Sequence, residues 1–284
     1  MRLRIFGFCL FFLCTAGVSH ASPVSRWVFA PEFTGVEKKE LRSYFAQVQQ
    51  GLNTLLGPNP RSYELHFKKY ASRTSPFPWA RTAKGWPMRV SFYVDTSHSP
   101  GEFRADWTAA HELSHMLFPY VGRDRWFSEG LASYLQNQVM FAAGHLPWHE
   151  AVARYTERFD RIKRSRVPQD WSVLKHNDNL WMHRDYPRLY WGGAAFFGLA
   201  DMRLWETQGI RFTDVVRQYT DCCYRRGGVD AQDMIRTFDR ISDSRVFSTL
   251  YREVMMTPYP PATDELLEWL KGHPPKNYDL SADT

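Results

Sequence analysis

Apolar residues recur at helical spacing over residues 36–56, at Leu41, Phe45, Val48, Leu52 and Leu55, and Gly57-Pro58 ends the run. The period then changes. Tyr63, Leu65 and Phe67 alternate with Glu64, His66 and Lys68, and Val90, Phe92 and Val94 alternate with Ser91 and Tyr93, which predicts two strands. Residues 71–87 between them carry Pro76, Pro78, Gly85 and Pro87 and read as a loop. Beyond His98-Ser99-Pro100-Gly101 the pattern becomes helical, with helices expected near 104–118, 128–143, 149–165, 190–208, 212–220, 230–240, 244–256 and 263–271. Residues 167–187 read as irregular. With no internal repeat, the pattern describes one α+β domain over residues 22–284. It comprises a strand-containing N-terminal lobe (22–103), a helix pair (104–143) and a helical C-terminal lobe (144–284), with a cleft between the lobes.

The first 21 residues follow another rule. Arg2 and Arg4 precede an apolar run over residues 5–13, and Val18-Ser19-His20-Ala21 ends in the small-residue pattern of a cleavage site. A signal peptide over residues 1–21 is expected, with a secreted or periplasmic mature chain. The run is shorter than the roughly 20 residues needed to span a bilayer, and no later segment is a candidate span. Residues 22–34 read either as a short pro-segment or as an ordinary N-terminus. The full chain has 36 Lys and Arg against 30 Asp and Glu, so loss of Arg2 and Arg4 would lower its net charge from +6 to +4. That excess is too mild to imply nucleic acid. The basic cluster Arg158, Arg161, Lys163, Arg164 and Arg166 reads as a solvated helix face. Cys222 and Cys223 would be the remaining cysteines, adjacent and unable to staple distant parts of the chain. They could join each other, pair with another chain, or remain as thiols.

The chemistry is concentrated in His111-Glu112-Leu113-Ser114-His115. On a helix, residues i and i+4 share a face, so both imidazoles can reach one metal ion, with Glu112 beside them as a general base. A catalytic zinc takes three protein ligands and keeps a position open for water. Glu129 is the natural third ligand, because the thirteen intervening residues allow the first helix to end near Pro119, turn, and return on a second helix. One zinc per chain, held by His111, His115 and Glu129, is the resulting expectation.

Glu129-Gly130-Leu131-Ala132-Ser133-Tyr134 follows the Glu-Gly-x-Ala-x-Tyr pattern and, with the His-Glu-x-x-His motif, resembles the gluzincin zinc metallopeptidases of clan MA. The resemblance extends over roughly residues 85–210, to the alanyl and glycyl aminopeptidase catalytic domains and above all to the compact peptidase MA-like domains. It implies a thermolysin-like zincin fold, with His111, His115 and Glu129 as ligands and Glu112 as base. Those families carry Tyr-x-Lys-Gly where this chain has Tyr190-Trp191-Gly192-Gly193, which implies that the Tyr190 hydroxyl donates to the oxyanion, although Gly192 replaces the Lys. His176, His183 and Tyr186 are its rivals. Ser133 stands where thermolysin-type sequences place an Asp that orients a ligand His. The Gly-x-Met-Glu-Asn segment that holds a free amine is missing, so exopeptidase action is not implied. The resemblance also implies that the strand at residues 89–95 lies along the cleft and pairs with extended substrate.

These readings converge on a secreted or periplasmic zinc peptidase acting on peptide or protein substrates. A catalytically silent binding or assembly protein with a structural zinc is the alternative from another class, and an intact Glu112 speaks against it. A zinc amidase acting on cell-wall peptide would share the same site.

Overall fold

The computed structural model describes residues 24–59, 61–85, 87–224, 228–258 and 262–276. The expected leader at residues 1–21 lies outside them.

The N-terminal part is a four-stranded sheet on one long helix. β1 (Val24–Phe29) leads into α1 (Gly35–Leu56), which returns the chain to β2 (Tyr63–Lys69) parallel to β1. β4 (Met88–Val94) lies parallel to β2, and β3 (Trp79–Ala83) runs antiparallel to β4, giving the order β1-β2-β4-β3. Thr34 starts α1 with a reciprocal cap: its hydroxyl accepts the Glu37 N–H at 3.2 Å and its own N–H donates to Glu37 Oε2 at 2.7 Å. Alternation places Leu65, Phe67, Val90 and Phe92 on the buried face of the sheet, and Phe45 of α1 meets Phe67 and Phe92 edge-on at 5.2 and 4.8 Å.

Three expectations need correction here. The sheet has four strands where two were read. β3 falls in the segment taken as a loop, because Pro78 and Gly85 bracket it and its Trp-Ala-Arg-Thr-Ala sequence has no buried apolar alternation. β1, the other strand that was not read, lies within residues 22–34. The third correction bears on function. The strand at 89–95, expected beside the substrate, pairs on both sides within the sheet, and β3 takes the edge.

The rest of the described chain is helical. α2 (Pro100–Ala105) and α3 (Thr108–Ser114) replace the single helix expected at 104–118, since Asp106 adopts extended backbone between them. A 3-10 turn at His115–Leu117 extends α3. α4 (Arg125–Ala142) starts three residues before Ser128, the expected cap. α5 (Trp148–Lys163) follows. Short helices α6 (Val173–Asp178) and α7 (Leu180–His183) occupy the segment read as irregular. α8 (Tyr186–Gln208) begins earlier than expected because Asp185 accepts the Arg188 N–H at 3.1 Å and caps a first turn containing Pro187. α9 (Phe212–Cys222), α10 (Ala231–Ile241), α11 (Val246–Leu250) with a π turn at Tyr251–Met255, and α12 (Asp264–Gly272) complete it. Cys222 and Cys223 are disulfide-bonded to each other, the first of the three options left open. Among the described residues, no helix is long and apolar enough to cross a membrane.

The α4–α8 pairing positions the site. Gly130 and Gly193 meet where the two helices cross: a Cβ at Gly193 would lie 2.1 Å from the Trp126 carbonyl oxygen, and one at Gly130 would lie 2.5 Å from the Gly193 backbone. Only residues without side chains permit that approach. Tyr134 of α4 donates to Asp201 Oδ2 of α8 at 2.7 Å, and Arg211 holds the same carboxylate through two N–H groups at 2.9 and 2.7 Å. All three polar residues are buried, and each finds a partner, so the network orders the helix pair without leaving an unsatisfied charge.

Candidate metal centre

α3 is anchored by the residue that precedes its N-cap Trp107. Asp106 Oδ1 accepts the Thr108 N–H at 2.7 Å while its other oxygen accepts the Ser75 hydroxyl, fixing the helix start against the loop before β3. One turn of helix then separates His111 from His115, whose rings sit edge-to-face with centroids 4.9 Å apart. Glu129 comes from the first turns of α4. Its Oε2 lies 3.2 Å from His111 Nε2 and 3.4 Å from His115 Nε2. The three ligand atoms all fall within 4.8 Å of one another, a spacing that one ion could bridge. The expected three residues are therefore brought together from two helices.

The donor set fits a metal chemically. Gln136 Oε1 accepts from His111 Nδ1 at 2.9 Å, which orients the ring and leaves Nε2 toward Glu129. The ionisation of the pair points the same way. Burial pulls the His111 pKa down, yet the Glu129 carboxylate bonded beside it outweighs burial and raises it. Burial works to raise Glu129, and the His115 charge together with hydrogen bonds from both imidazoles holds it well below the usual carboxylate range. A buried carboxylate held against two imidazole nitrogens is a site that a divalent cation would suit.

Glu112 faces the same cavity, of about 830 Å³, which is walled by β3, α3, the start of α4 and Tyr190. Thr82 of β3 donates its hydroxyl to Glu112 Oε2 at 2.6 Å. One carboxylate oxygen is thereby held. Lys84, at the exit of β3, donates to the carbonyls of His115, Phe118 and Pro119 and so ties β3 to the chain leaving α3. Burial pushes its pKa down to about 7, against the pull of Glu129. Tyr190 lines the cavity with its ring 6.3 Å from that of His111. Burial, reinforced by the Glu129 and Glu112 charges, raises its pKa well above the ordinary phenol value, so the hydroxyl keeps its proton as a donor.

Two of the three rivals of Tyr190 lie elsewhere. His176 is fully buried in α6 and His183 packs edge-on against Trp171, and neither lines the metal cavity. Tyr186 stands beside Tyr190 with ring centroids 6.3 Å apart. Thr82, Lys84 and Gln136 were missed by sequence reasoning. Only Gln136 carried a signal, lying two helical turns beyond Glu129 on its face. It orients His111, the task that thermolysin-type sequences give to an Asp where this chain has Ser133.

No protein-family model and no curated protein matches the sequence. Solved structures do. An M1 zinc metallopeptidase from Deinococcus radiodurans, a mutant bound to a Tyr-Ser-Ala substrate, is 16% identical with a TM-score of 0.52, over 84% of this chain and 50% of that one. The M1 zinc metallopeptidase from the same organism without the mutation gives 16% and 0.51, over 84% and 50%. A two-domain M1 zinc metallopeptidase mutant bound to L-arginine gives 17% and 0.52 over the same shares. The chain thus spans about half the length of these structures and shares the α+β fold of M1 zinc metallopeptidases.

Proposed function

We propose that this chain is a zinc-dependent peptidase in which His111, His115 and Glu129 hold the ion and Glu112 is the general base. The observation that carries the reading is the convergence of the three ligand atoms within 4.8 Å in a cavity that Glu112 also lines. Zinc, when bound, acts as a Lewis acid on a substrate carbonyl and acidifies water. The free oxygen of Glu112 takes a proton from the attacking water and passes it to the leaving amine, while Thr82 keeps the carboxylate aimed. Tyr190 donates its phenol hydrogen to the oxyanion as charge builds there. The free edge of β3 lies on this cavity, and a peptide in extended form would add to it as a further strand, with the groove separating the strand-bearing part from the helical part. In this reading residues 22–284 form one domain, exported by the segment at 1–21.

The test is cleavage of a broad peptide library by the purified protein, with and without a chelator, and again after adding back zinc. Cleavage that stops on chelation and returns with zinc supports the reading. Tight zinc with no cleavage of any peptide would favour the silent binding protein.

A further inference from the structure

A second cavity, of about 190 Å³, lies behind Tyr190 and shares Trp107 and Tyr190 with the metal cavity. We propose, resting on the peptidase reading above, that it is a subsite for an aromatic side chain flanking the scissile bond, and that it turns basic side chains away.

Position, size and lining each argue for that occupant. Trp107 stands edge-on to His111 with ring centroids 5.2 Å apart, and Gln136, which orients His111, also lines the second cavity. A side chain seated there is therefore one ring removed from a proposed metal ligand. A cavity of about 150 Å³ lined by apolar side chains holds a benzene molecule, so this one accommodates the ring of Phe or Tyr. Tyr186, Tyr190, Trp107 and Trp191 offer ring faces and edges. Trp107 and Tyr186 remain 39% and 41% exposed, a large aromatic surface left without cover at the mouth. Arg158 closes the pocket beside Trp191, its guanidinium 6.0 Å from the ring centroid. That cation attracts an aromatic face or a phenol oxygen and repels lysine or arginine. None of the lining residues is acidic, so nothing there would pair with a basic side chain.

The experiment uses quenched peptides of a fixed Ala-Gly-Ser sequence with one varied position, Phe, Tyr, Leu, Ala, Lys or Glu, and maps each cut by mass spectrometry. Phe and Tyr peptides should exceed the Ala peptide in kcat/KM by about 10- to 100-fold, cut at a bond next to the aromatic residue, with Lys below Ala. Arg158→Gln should narrow the Phe-to-Lys ratio about fivefold, the factor for two unit charges about 4 Å apart screened by water. Ser133→Leu, which fills the cavity, should bring the Phe-to-Ala ratio toward unity. Cleavage indifferent to the varied residue overturns the subsite while leaving the peptidase reading intact. Titrating the same peptides against the zinc-loaded protein covers the case of no turnover. Preferential binding of the Phe peptide would then uphold the subsite and sink the peptidase reading, and equal binding of Phe and Lys peptides would overturn the subsite.

Discussion

Gly193→Ala tests the helix crossing that sets the site. The added Cβ would lie 2.1 Å from the Trp126 carbonyl oxygen and 2.9 Å from the Gly130 Cα, where ordinary contacts are about 3.5–4.0 Å. Both neighbours are backbone, so no side chain can swing aside, and α4 and α8 must separate by about 1 Å. Overpacking of this kind costs about 1–3 kcal/mol, and rigid backbone places this case near the top of the range. Alanine in mid-helix returns about 1 kcal/mol through its higher helix propensity. The net loss is then about 2 kcal/mol, or about 4–8 °C in Tm for a domain of this size. Because Glu129 neighbours Gly130 while Tyr190 is three residues from Gly193, the shift also moves the proposed ligand and the proposed donor apart, and a misplacement of about 1 Å can cost about 10²-fold in rate. Circular dichroism melts, zinc content and turnover of parent and variant provide the measurement. Gly35→Ala is the control, since its Cβ would meet nothing within 4 Å. A Gly193→Ala protein more stable than the parent would refute the argument, because that gain is what helix propensity alone predicts.

Gln136→Leu should weaken zinc binding by about 10- to 100-fold with the fold retained, read by competition with a chelating dye. Tyr190→Phe should leave zinc content unchanged and lower turnover by about 10²- to 10³-fold, and an unchanged rate would remove the tyrosine from the mechanism. Acid stability follows from Glu37, whose pKa drops from 4.5 to about 2 through hydrogen bonds from Lys69, Thr96 and the Thr34 backbone. A depressed folded pKa stabilises the fold above about 4.5 and loses that contribution as pH falls toward 2. Denaturant midpoints should therefore decline across that window, and Glu37→Gln should flatten the decline.

The grouping of the three candidate ligands was legible because a helix converts sequence spacing into geometry: His111 and His115 are one turn apart, and Glu129 needs only a reversal at Pro119. The long amphipathic helices were legible for the same reason, with Leu41, Phe45, Val48 and Leu52 buried as their spacing requires. β3 was not. An edge strand buries little, so Trp79-Ala80-Arg81-Thr82-Ala83 has no apolar period, and with it went the partner of Glu112. Lys84 was hidden because it bonds to carbonyls thirty-one or more residues away, a contact that only the tertiary fold creates. The helix break at Asp106 escaped because the sequence around it contains no Pro or Gly. It comes from Asp106, extended between the two helices and held there by its bonds to Thr108 and Ser75.

The central claim is that His111, His115 and Glu129 bind zinc while Glu112 only moves the proton, and Glu112→Gln measured for both zinc and turnover addresses it most directly. The amide keeps the shape and still accepts the Thr82 hydroxyl, but it cannot take a proton from water. The account predicts one zinc per chain in parent and variant alike, with peptide hydrolysis reduced by at least about 10²-fold in the variant. A Glu112→Gln protein that hydrolyses peptide at the parental rate, or one that loses its zinc while remaining folded, would contradict it.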